Sequence, residues 1–234
     1  MAIYTLSDPH LSLEAKKPMD VFGGRWTDYT EKLKINLARL NEEDTLVMPG
    51  DISWAMKLSE LGADMEFLNS LPGMKIIGKG NHDYWWSTMN KLEEYRKAMG
   101  FDKIRFLFNN AYVCEDTVIC GSRGWYLDAE VAGADNKKII ARECGRLELS
   151  IKEGERLASE NGLDAPLVFL HYPAIYGDYR CDEIISVLKA HGIKKCYYGH
   201  LHGIDGARLW ESFDGISFTL CSADYLNFQP MLIK

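Results

Sequence analysis

The sequence has 234 residues, of which 47% are hydrophobic, and these figures predict a single domain over residues 1–234 with a core that needs no disulfides. Its formal net charge of −7 argues against a nucleic-acid partner, because proteins that bind the nucleic-acid backbone usually carry a basic face. No window of 18 apolar residues occurs and the N-terminus lacks signal-peptide features, so we expect no membrane span.

The six cysteines include no C-x-x-C pair, which predicts reduced and mostly buried thiols in a cytoplasmic protein. An extracellular protein with a set of disulfides is the alternative. The sequence makes no prediction of the oligomeric state.

Strands and helices alternate through the N-terminal half. Strands are predicted at 2–6, 45–48 and 74–77, and helices at 28–40, 57–70 and 85–99. In the first of these helices, Tyr29, Leu33 and Leu37 share one face. Such alternation favours parallel pairing of the strands.

The C-terminal half mixes hairpins with further strand–helix units. Three short strands at 105–108, 111–114 and 117–120 indicate an antiparallel meander, followed by a long polar helix over 135–160. A strand at 167–170, a helix at 181–190 and a strand at 195–198 come next, and hairpin strands are expected at 207–210, 216–220 and 228–233. Together these elements predict a mixed α/β domain.

Polar side chains directly follow five of the predicted strands. They include five of the six histidines: the set is Asp8, His10, Asp51, Asn81, His82, Asp83, His171, His200 and His202. Because the carboxyl ends of strands in open α/β sheets line the ligand crevice, we expect these groups to meet at one edge. Each alone could belong to a turn or a strand end, but their conjunction favours a shared function.

Two metal ions account best for this set. Carboxylate, imidazole and amide donors without cysteine suit divalent manganese, iron or zinc. All of these residues except His82 and Asp83 are candidate ligands, which is too many for one tetrahedral zinc site and enough for two ions sharing one carboxylate. Paired metals about 3.5–4 Å apart are used for in-line displacement at phosphorus, which predicts a metal-dependent phosphoric ester hydrolase.

The motifs "DPH", "GD", "GNHD", "H" and "GHLH", spread over residues 8–202, resemble those of the calcineurin-like metallophosphoesterase superfamily. The resemblance implies an α/β fold, a four-layer α/β/β/α sandwich of two mixed sheets flanked by helices. The phrases "SDPHLS" and "KPMDVFGGRW" resemble uncharacterised bacterial predicted phosphohydrolases. The sequence departs from the protein Ser/Thr phosphatase branch, because "GDISWAM" and "GNHD" stand where that branch has G-D-x-V-D-R-G and G-N-H-E.

The resemblance also implies a role for each matching residue. Asp8, His10 and His202 would bind the first metal, and Asn81, His171 and His200 the second. Asp51 would bridge the two ions, and His82 would stand beside them and protonate the leaving group. The expected cofactor is a pair of divalent ions, manganese first, with iron, zinc or a mixed pair as alternatives.

The predicted function is hydrolysis of a phosphate ester of a small molecule by a metal-activated hydroxide. A phosphodiesterase acting on nucleotides or nucleic acid is the alternative among enzymes, and the acidic composition disfavours it. A binding or scaffold protein that has lost catalysis is a further alternative. No ligand of the motif set is missing, which favours the enzyme.

Substrate contacts are predicted near these motifs, at Arg123, Trp125, Trp54 and Tyr84, because arginine clamps phosphate and aromatic rings can form a rim. The loop over residues 12–26 is long enough to add to that rim. Asp83 has two interpretations, a partner that orients the site or the N-cap of the helix at 85–99. At least one of Trp85 and Trp86 should lie in the core, and His191 should end a helix without a catalytic role.

Overall fold

The computed structural model describes residues 1–126, 134–204 and 209–234. The strands among these residues are β1 (Ile3–Thr5), β2 (Thr45–Met48), β3 (Met74–Ile77), β4 (Ile104–Phe106), β5 (Ala111–Cys114), β6 (Thr117–Ser122), β7 (Leu167–Leu170), β8 (Ile175–Tyr176), β9 (Tyr179–Arg180), β10 (Lys195–Tyr198), β11 (Ser212–Phe213), β12 (Ile216–Leu220) and β13 (Met231–Leu232). The α-helices are α1 (Tyr29–Leu37), α2 (Gly62–Ser70), α3 (Met89–Ala98), α4 (Ala134–Asn161) and α5 (Asp182–Ala190).

These strands form two large mixed sheets. The first sheet has the order β13-β1-β2-β3-β4, with β1 to β4 parallel and β13 antiparallel at its edge. The second sheet has the order β11-β12-β10-β7-β6-β5, with four parallel strands in the centre and an antiparallel strand at each edge. Strands β8 and β9 make a separate small hairpin.

Three apolar clusters show how the layers stack. One cluster joins Ile3, Val47 and Ile76 of the first sheet to Phe169 and Tyr197 of the second, so the sheets pack face to face. The opposite face of the first sheet packs on helices α1, α2 and α3, and that of the second packs on α4 and α5. The predicted mixed α/β sandwich with helices on both outer faces is therefore confirmed.

One prediction of strand pairing was wrong, and another was incomplete. The predicted meander is split between the sheets, because β4 pairs parallel to β3 in the first sheet and only β5 and β6 form a hairpin in the second. The strand predicted at 216–220 pairs parallel to β10 on one side and antiparallel to β11 on the other. The strand predicted at 207–210 lies partly outside the described residues, and the one at 228–233 is reduced to β13.

Two helices begin later than predicted. Helix α3 begins at Met89, where the side chain of Thr88 accepts a hydrogen bond from Lys91 N, so Asp83 is not its N-cap. Helix α2 begins at Gly62 after a separate 3-10 turn at Leu58–Glu60. His191 ends α5 as predicted, with its Nδ1 2.8 Å from Glu155 Oε1. None of the helices among the described residues is both long and apolar enough to cross a membrane.

Candidate metal centre

The predicted ligands are delivered by turns that leave the carboxyl ends of five strands. Strands β1, β2 and β3 of the first sheet and β7 and β10 of the second end within a few residues of them. Four of these residues, Asp8, His10, Asp51 and His200, have positive φ angles of 58°, 47°, 51° and 71°. Non-glycine residues rarely adopt this conformation. Several such residues close together are typical of functional sites.

The first group consists of Asp8, His10 and His202. Each offers one ligand atom, and these atoms lie within 4.8 Å of one another. His10 Nε2 lies only 3.1 Å from His202 Nε2, so a proton or a cation must separate the two nitrogens. Asp8 is fully buried, and its Oδ1 has no hydrogen-bond partner among the described residues. A cation at this point would satisfy all three side chains.

The second group consists of Asp51, His171 and His200, whose ligand atoms also lie within 4.8 Å of one another. Asn81 joins this group, because its Oδ1 lies 2.6 Å from His171 Nε2. The structure thus brings the predicted ligands of the second metal together, including the neutral amide oxygen.

Asp51 lies between the two groups. Its Oδ2 is 3.7 Å from His10 Nε2 and 3.6 Å from His171 Nε2. Its Oδ1 accepts a hydrogen bond of 2.7 Å from the backbone N–H of His82. One carboxylate oxygen therefore faces an imidazole of each group, which is the position that a bridging ligand would need.

The electrostatics of the two groups favour bound cations. Burial raises the pKa of Asp8 to about 6, and burial together with the charge of Asp8 raises the pKa of Asp51 well above its usual range. Burial and neighbouring imidazoles hold the pKa values of His10 and His171 well below the usual range. Burial and neighbours of like charge disfavour the ionised forms of these side chains. Bound cations would favour the ionised carboxylates and the neutral imidazoles, which are the forms that bind metals. This donor set fits divalent metals.

Sequence comparison places these residues in a family. The profile of the calcineurin-like phosphoesterase family matches residues 1–203. The chain belongs to this family. No curated protein matches it in sequence.

Three solved structures match most of this chain at low sequence identity. A protein of unknown function from Aquifex aeolicus is 19% identical with a TM-score of 0.53, and the match covers 99% of this chain and 95% of that one. A phosphopantetheinyl hydrolase from Mycobacterium tuberculosis is 16% identical with a TM-score of 0.49, covering 99% and 95% of the two chains. The protein TT1561 of Thermus thermophilus is 13% identical with a TM-score of 0.46, covering 85% and 80%.

Asp224 is a residue of this phosphoesterase site that the sequence analysis missed. Its Oδ1 lies 2.7 Å from His202 Nδ1, and its Oδ2 accepts a hydrogen bond of 2.9 Å from Gly203 N. Burial alone would lower the pKa of His202, but the hydrogen bond that His202 donates to Asp224 and the charge of Asp8 raise it. Asp224 thus orients His202 so that Nε2 faces His10. The signal was available, because Asp224 closely follows a strand as the other site residues do.

Asp83 ties two of the ligand-bearing turns together. Its carboxylate accepts backbone hydrogen bonds from Asp51 at 2.9 Å, Ile52 at 2.9 Å, Ser53 at 3.3 Å and Gly80 at 2.7 Å. Trp85 Nε1 adds a fifth at 3.0 Å. Of the two interpretations of Asp83, the N-cap was wrong, and the orienting contacts are made to the backbone of the ligand-bearing turns and not to an imidazole.

Glycine is required where the turns pass the carboxylates. A Cβ on Gly80 would stand 2.0 Å from Asp51 Oδ1, and one on Gly199 would stand 2.2 Å from Asp8 Oδ2. Neither space admits a methyl group, so these glycines let the backbone approach both carboxylates.

The predicted substrate contacts divide between the two groups. Trp54 stacks on His10 with ring centroids 5.1 Å apart and lies 4.4 Å from the ring of His82, while Tyr84 lies 6.2 Å from His82. Trp85 is buried in the core, and Trp86 packs partly buried beside it, so the prediction for this pair is confirmed.

Arg123 and Trp125 lie on the side of the second group. The guanidinium of Arg123 is 5.2 Å from the ring of Trp125 and 5.9 Å from that of Tyr172, and Tyr172 lies 4.6 Å from His200. Arg123 Nη2 is also 3.4 Å from Oε1 of the buried Glu143. Arg123 is therefore partly held by a protein carboxylate, and its contact with substrate stays a prediction.

Proposed function

We propose that the chain is a dinuclear-metal-dependent phosphoesterase that hydrolyses a phosphate ester of a small molecule. The observation that carries the proposal is the position of Asp51, with one oxygen facing an imidazole of each of two Asp/His groups. Family membership supports phosphoester hydrolysis as the reaction class.

The proposed ligands are Asp8, His10 and His202 for one ion and Asn81, His171 and His200 for the other, with Asp51 shared. Manganese is the first proposed metal, with iron, zinc or a mixed pair as alternatives, because oxygen and nitrogen donors without sulfur suit all of these divalent ions. A bound pair of divalent ions would supply Lewis-acid stabilisation of charge at phosphorus and a lower pKa for attacking water.

His82 is the proposed proton donor to the leaving group. Its ring lies 5.5 Å from that of His10, beside the first group but outside it, and its Nδ1 has no hydrogen-bond partner among the described residues. The ring also lines an open cleft beside the first group, which places it where a leaving group would be.

The proposed substrate is a small phosphorylated molecule, since the net charge of −7 does not favour a nucleic-acid backbone. The proposed location is the cytoplasm. The six cysteines are all unpaired thiols, five of them buried, which supports this location.

The function is tested with the purified full chain. Bound metal is measured by elemental analysis, and phosphate release from p-nitrophenyl phosphate and from its bis ester is compared with Mn²⁺ present and after chelation. We expect bound metal and hydrolysis that chelation abolishes, and the relative rates with the two esters distinguish a monoesterase from a diesterase. A chain that neither retains nor needs a divalent metal would contradict the proposal.

A further inference from the structure

A large cleft opens beside the first metal group. Its volume is about 700 Å³, and His10, His82 and His202 form part of its lining. The cleft is thus continuous with the proposed catalytic site on the side where His82 stands. A leaving group that takes its proton from His82 would depart into this space.

One wall of the cleft is the segment Met19 to Trp26, which we call the strap. It consists of two 3-10 turns, Met19–Phe22 and Gly24–Trp26, separated by Gly23 with a φ of 112°. Both ends of the strap are anchored. Met19 Sδ accepts a hydrogen bond of 3.2 Å from Trp54 Nε1, and the ring of Trp26 packs 5.2 Å from that of Phe228.

The middle of the strap exposes apolar side chains. Val21 and Phe22 are 75% and 67% exposed, and Phe22 lines the cleft. Trp54 lines it as well. Apolar groups around a concave site are the usual means by which a protein holds the apolar part of a small ligand. Exposed apolar side chains at such a site would lose contact with water when that ligand binds.

Charged groups contribute little to this cleft. Among the described lining residues the charged side chains are Arg25 and Asp224. Arg25 Nη1 donates a 3.4 Å hydrogen bond to Ile204 O, and Asp224 is bonded to His202. A second phosphate on the leaving group would therefore find no uncommitted cluster of cations here.

We propose that the cleft holds the leaving group and that the preferred substrates are phosphate esters of alcohols with a large apolar part. This inference rests on the proposed hydrolase function and adds the substrate class to it. The apolar part contacts Phe22 and Trp54, while the ester oxygen lies by His82. Hydrolysis breaks the bond between phosphorus and that oxygen, water supplies the oxygen that joins phosphorus, and the alcohol leaves with a proton.

Gly24 offers a way to fill the cleft without distorting the protein. A Cβ at Gly24 would meet nothing within 4 Å, and its φ lies outside the left-handed region. Because Gly24 belongs to the lining of the cleft, Gly24→Leu adds a branched side chain to this wall where there is space for it. Gly145 on helix α4 is also exposed with nothing within 4 Å, so Gly145→Leu is the matched control.

The experiment compares kcat/KM, measured by phosphate release with Mn²⁺, for two pairs of esters. The pairs are phenyl with 4-phenylphenyl phosphate and ethyl with n-octyl phosphate, each differing in apolar size. We expect the larger member of at least one pair to be preferred by about tenfold or more in the wild type. Gly24→Leu should lower kcat/KM for that member about tenfold and for its smaller partner less than about twofold, whereas Gly145→Leu should change neither.

A binding measurement tests the cleft without requiring hydrolysis. Calorimetric titration of 1-naphthol should show saturable binding to the wild type and to Gly145→Leu, and loss of binding in Gly24→Leu. Hydrolysis without preference for size, or an equal loss for both members of each pair in Gly24→Leu, would overturn the inference. Failure to hydrolyse any ester with any divalent metal would instead refute the proposed function on which the inference rests.

Discussion

Asp51 and His82 are joined by a hydrogen bond, yet substituting them should have different effects. The donor is the backbone N–H of His82, at 2.7 Å from Asp51 Oδ1, so removal of the imidazole leaves this contact in place. Asp51→Asn replaces one carboxylate oxygen at the bridging position with an NH2 group, which cannot bind a cation, and removes the negative charge.

We therefore expect His82→Ala to keep its metal and to lose turnover about 10²–10⁴-fold, as for a lost general acid. Asp51→Asn should lose metal as well as activity. Elemental analysis of both purified variants, together with kcat for p-nitrophenyl phosphate, distinguishes them. Equal metal loss from the two variants would contradict the proposed roles.

Asp224 should act on the metal site through His202 and the adjoining backbone of Gly203. Asp224→Asn weakens the hydrogen bond that orients His202, and the loss of such a partner usually lowers metal affinity about 10–100-fold. Asp214→Asn is the control, because Asp214 pairs with Lys189 in an exposed salt bridge remote from these contacts. Competition with a metal-binding dye measures the affinities. Unchanged affinity in Asp224→Asn would show that His202 needs no partner to bind.

At the scale of elements, the turns after β2 and β3 depend on one buried carboxylate. Asp83→Ala would remove the acceptor of four backbone N–H groups, each of which then lacks a partner in the interior. Since each unsatisfied buried donor costs about 1–3 kcal/mol, we expect the free energy of unfolding to fall by at least about 3 kcal/mol.

Urea denaturation of Asp83→Ala and of Asp102→Ala gives the comparison. Asp102 has a 93% exposed side chain, and its substitution should change the free energy of unfolding by less than about 0.5 kcal/mol. A loss below about 1 kcal/mol in Asp83→Ala would mean that water or a shifted backbone replaces the carboxylate.

The sequence predicted the bounds of the strands better than it predicted which strands pair with one another. Strands β2, β3, β7 and β10 were found at their true bounds, because each is a short apolar run. Pairing was missed for β4, since a three-residue strand carries no signal for the sheet that it joins. The start of helix α3 was predicted too early, because Trp85 and Trp86 resemble the first apolar turn of a helix. In the structure both residues precede the helix, and their rings pack against Phe106.

The site residues were predicted from their positions directly after the predicted strands. The residues that the motifs name meet in two groups, because the strand ends that carry them lie at one edge of the sandwich. Asp224 escaped this reasoning, since β12 was read as part of a hairpin and not as a parallel strand with a functional end. The contacts of Asp83 also required the structure, because adjacency in sequence does not reveal which backbone groups a carboxylate will meet.

At the scale of the whole molecule, one buried lysine should make stability depend on pH. Lys75 in β3 is fully buried, and its Nζ donates to Leu71 O and, at 2.8 Å, to Gly73 O. Burial, followed by the charge of Lys103, lowers the pKa of Lys75 to about 7. The unfolded chain keeps the usual value near 10.4, so it binds the additional proton between about pH 7 and pH 10.

The folded state therefore carries the cost of the buried charge below about pH 7 and sheds it as the pH rises. In the wild type, the free energy of unfolding should gain about 1 kcal/mol per pH unit between about pH 7 and pH 9, relative to Lys75→Met. Urea denaturation of both proteins at several pH values measures this difference. The contributions of the other titrating groups cancel when the two proteins are compared. A difference that does not change with pH would place the pKa of Lys75 near its usual value.

The order of the proposed ligands along the chain bears on when metal can be acquired during synthesis. Asp8 and His10 of the first group, and Asp51 and Asn81 of the second, are translated long before their partners. The first group lacks His202, and the second lacks His171 and His200, until the strands of the second sheet have been made. A nascent chain that has completed only strands β1 to β4 thus holds two half-sites. On the proposed roles, metal loading follows translation of residue 202, and the ions cannot serve as a template for strands β1 to β4.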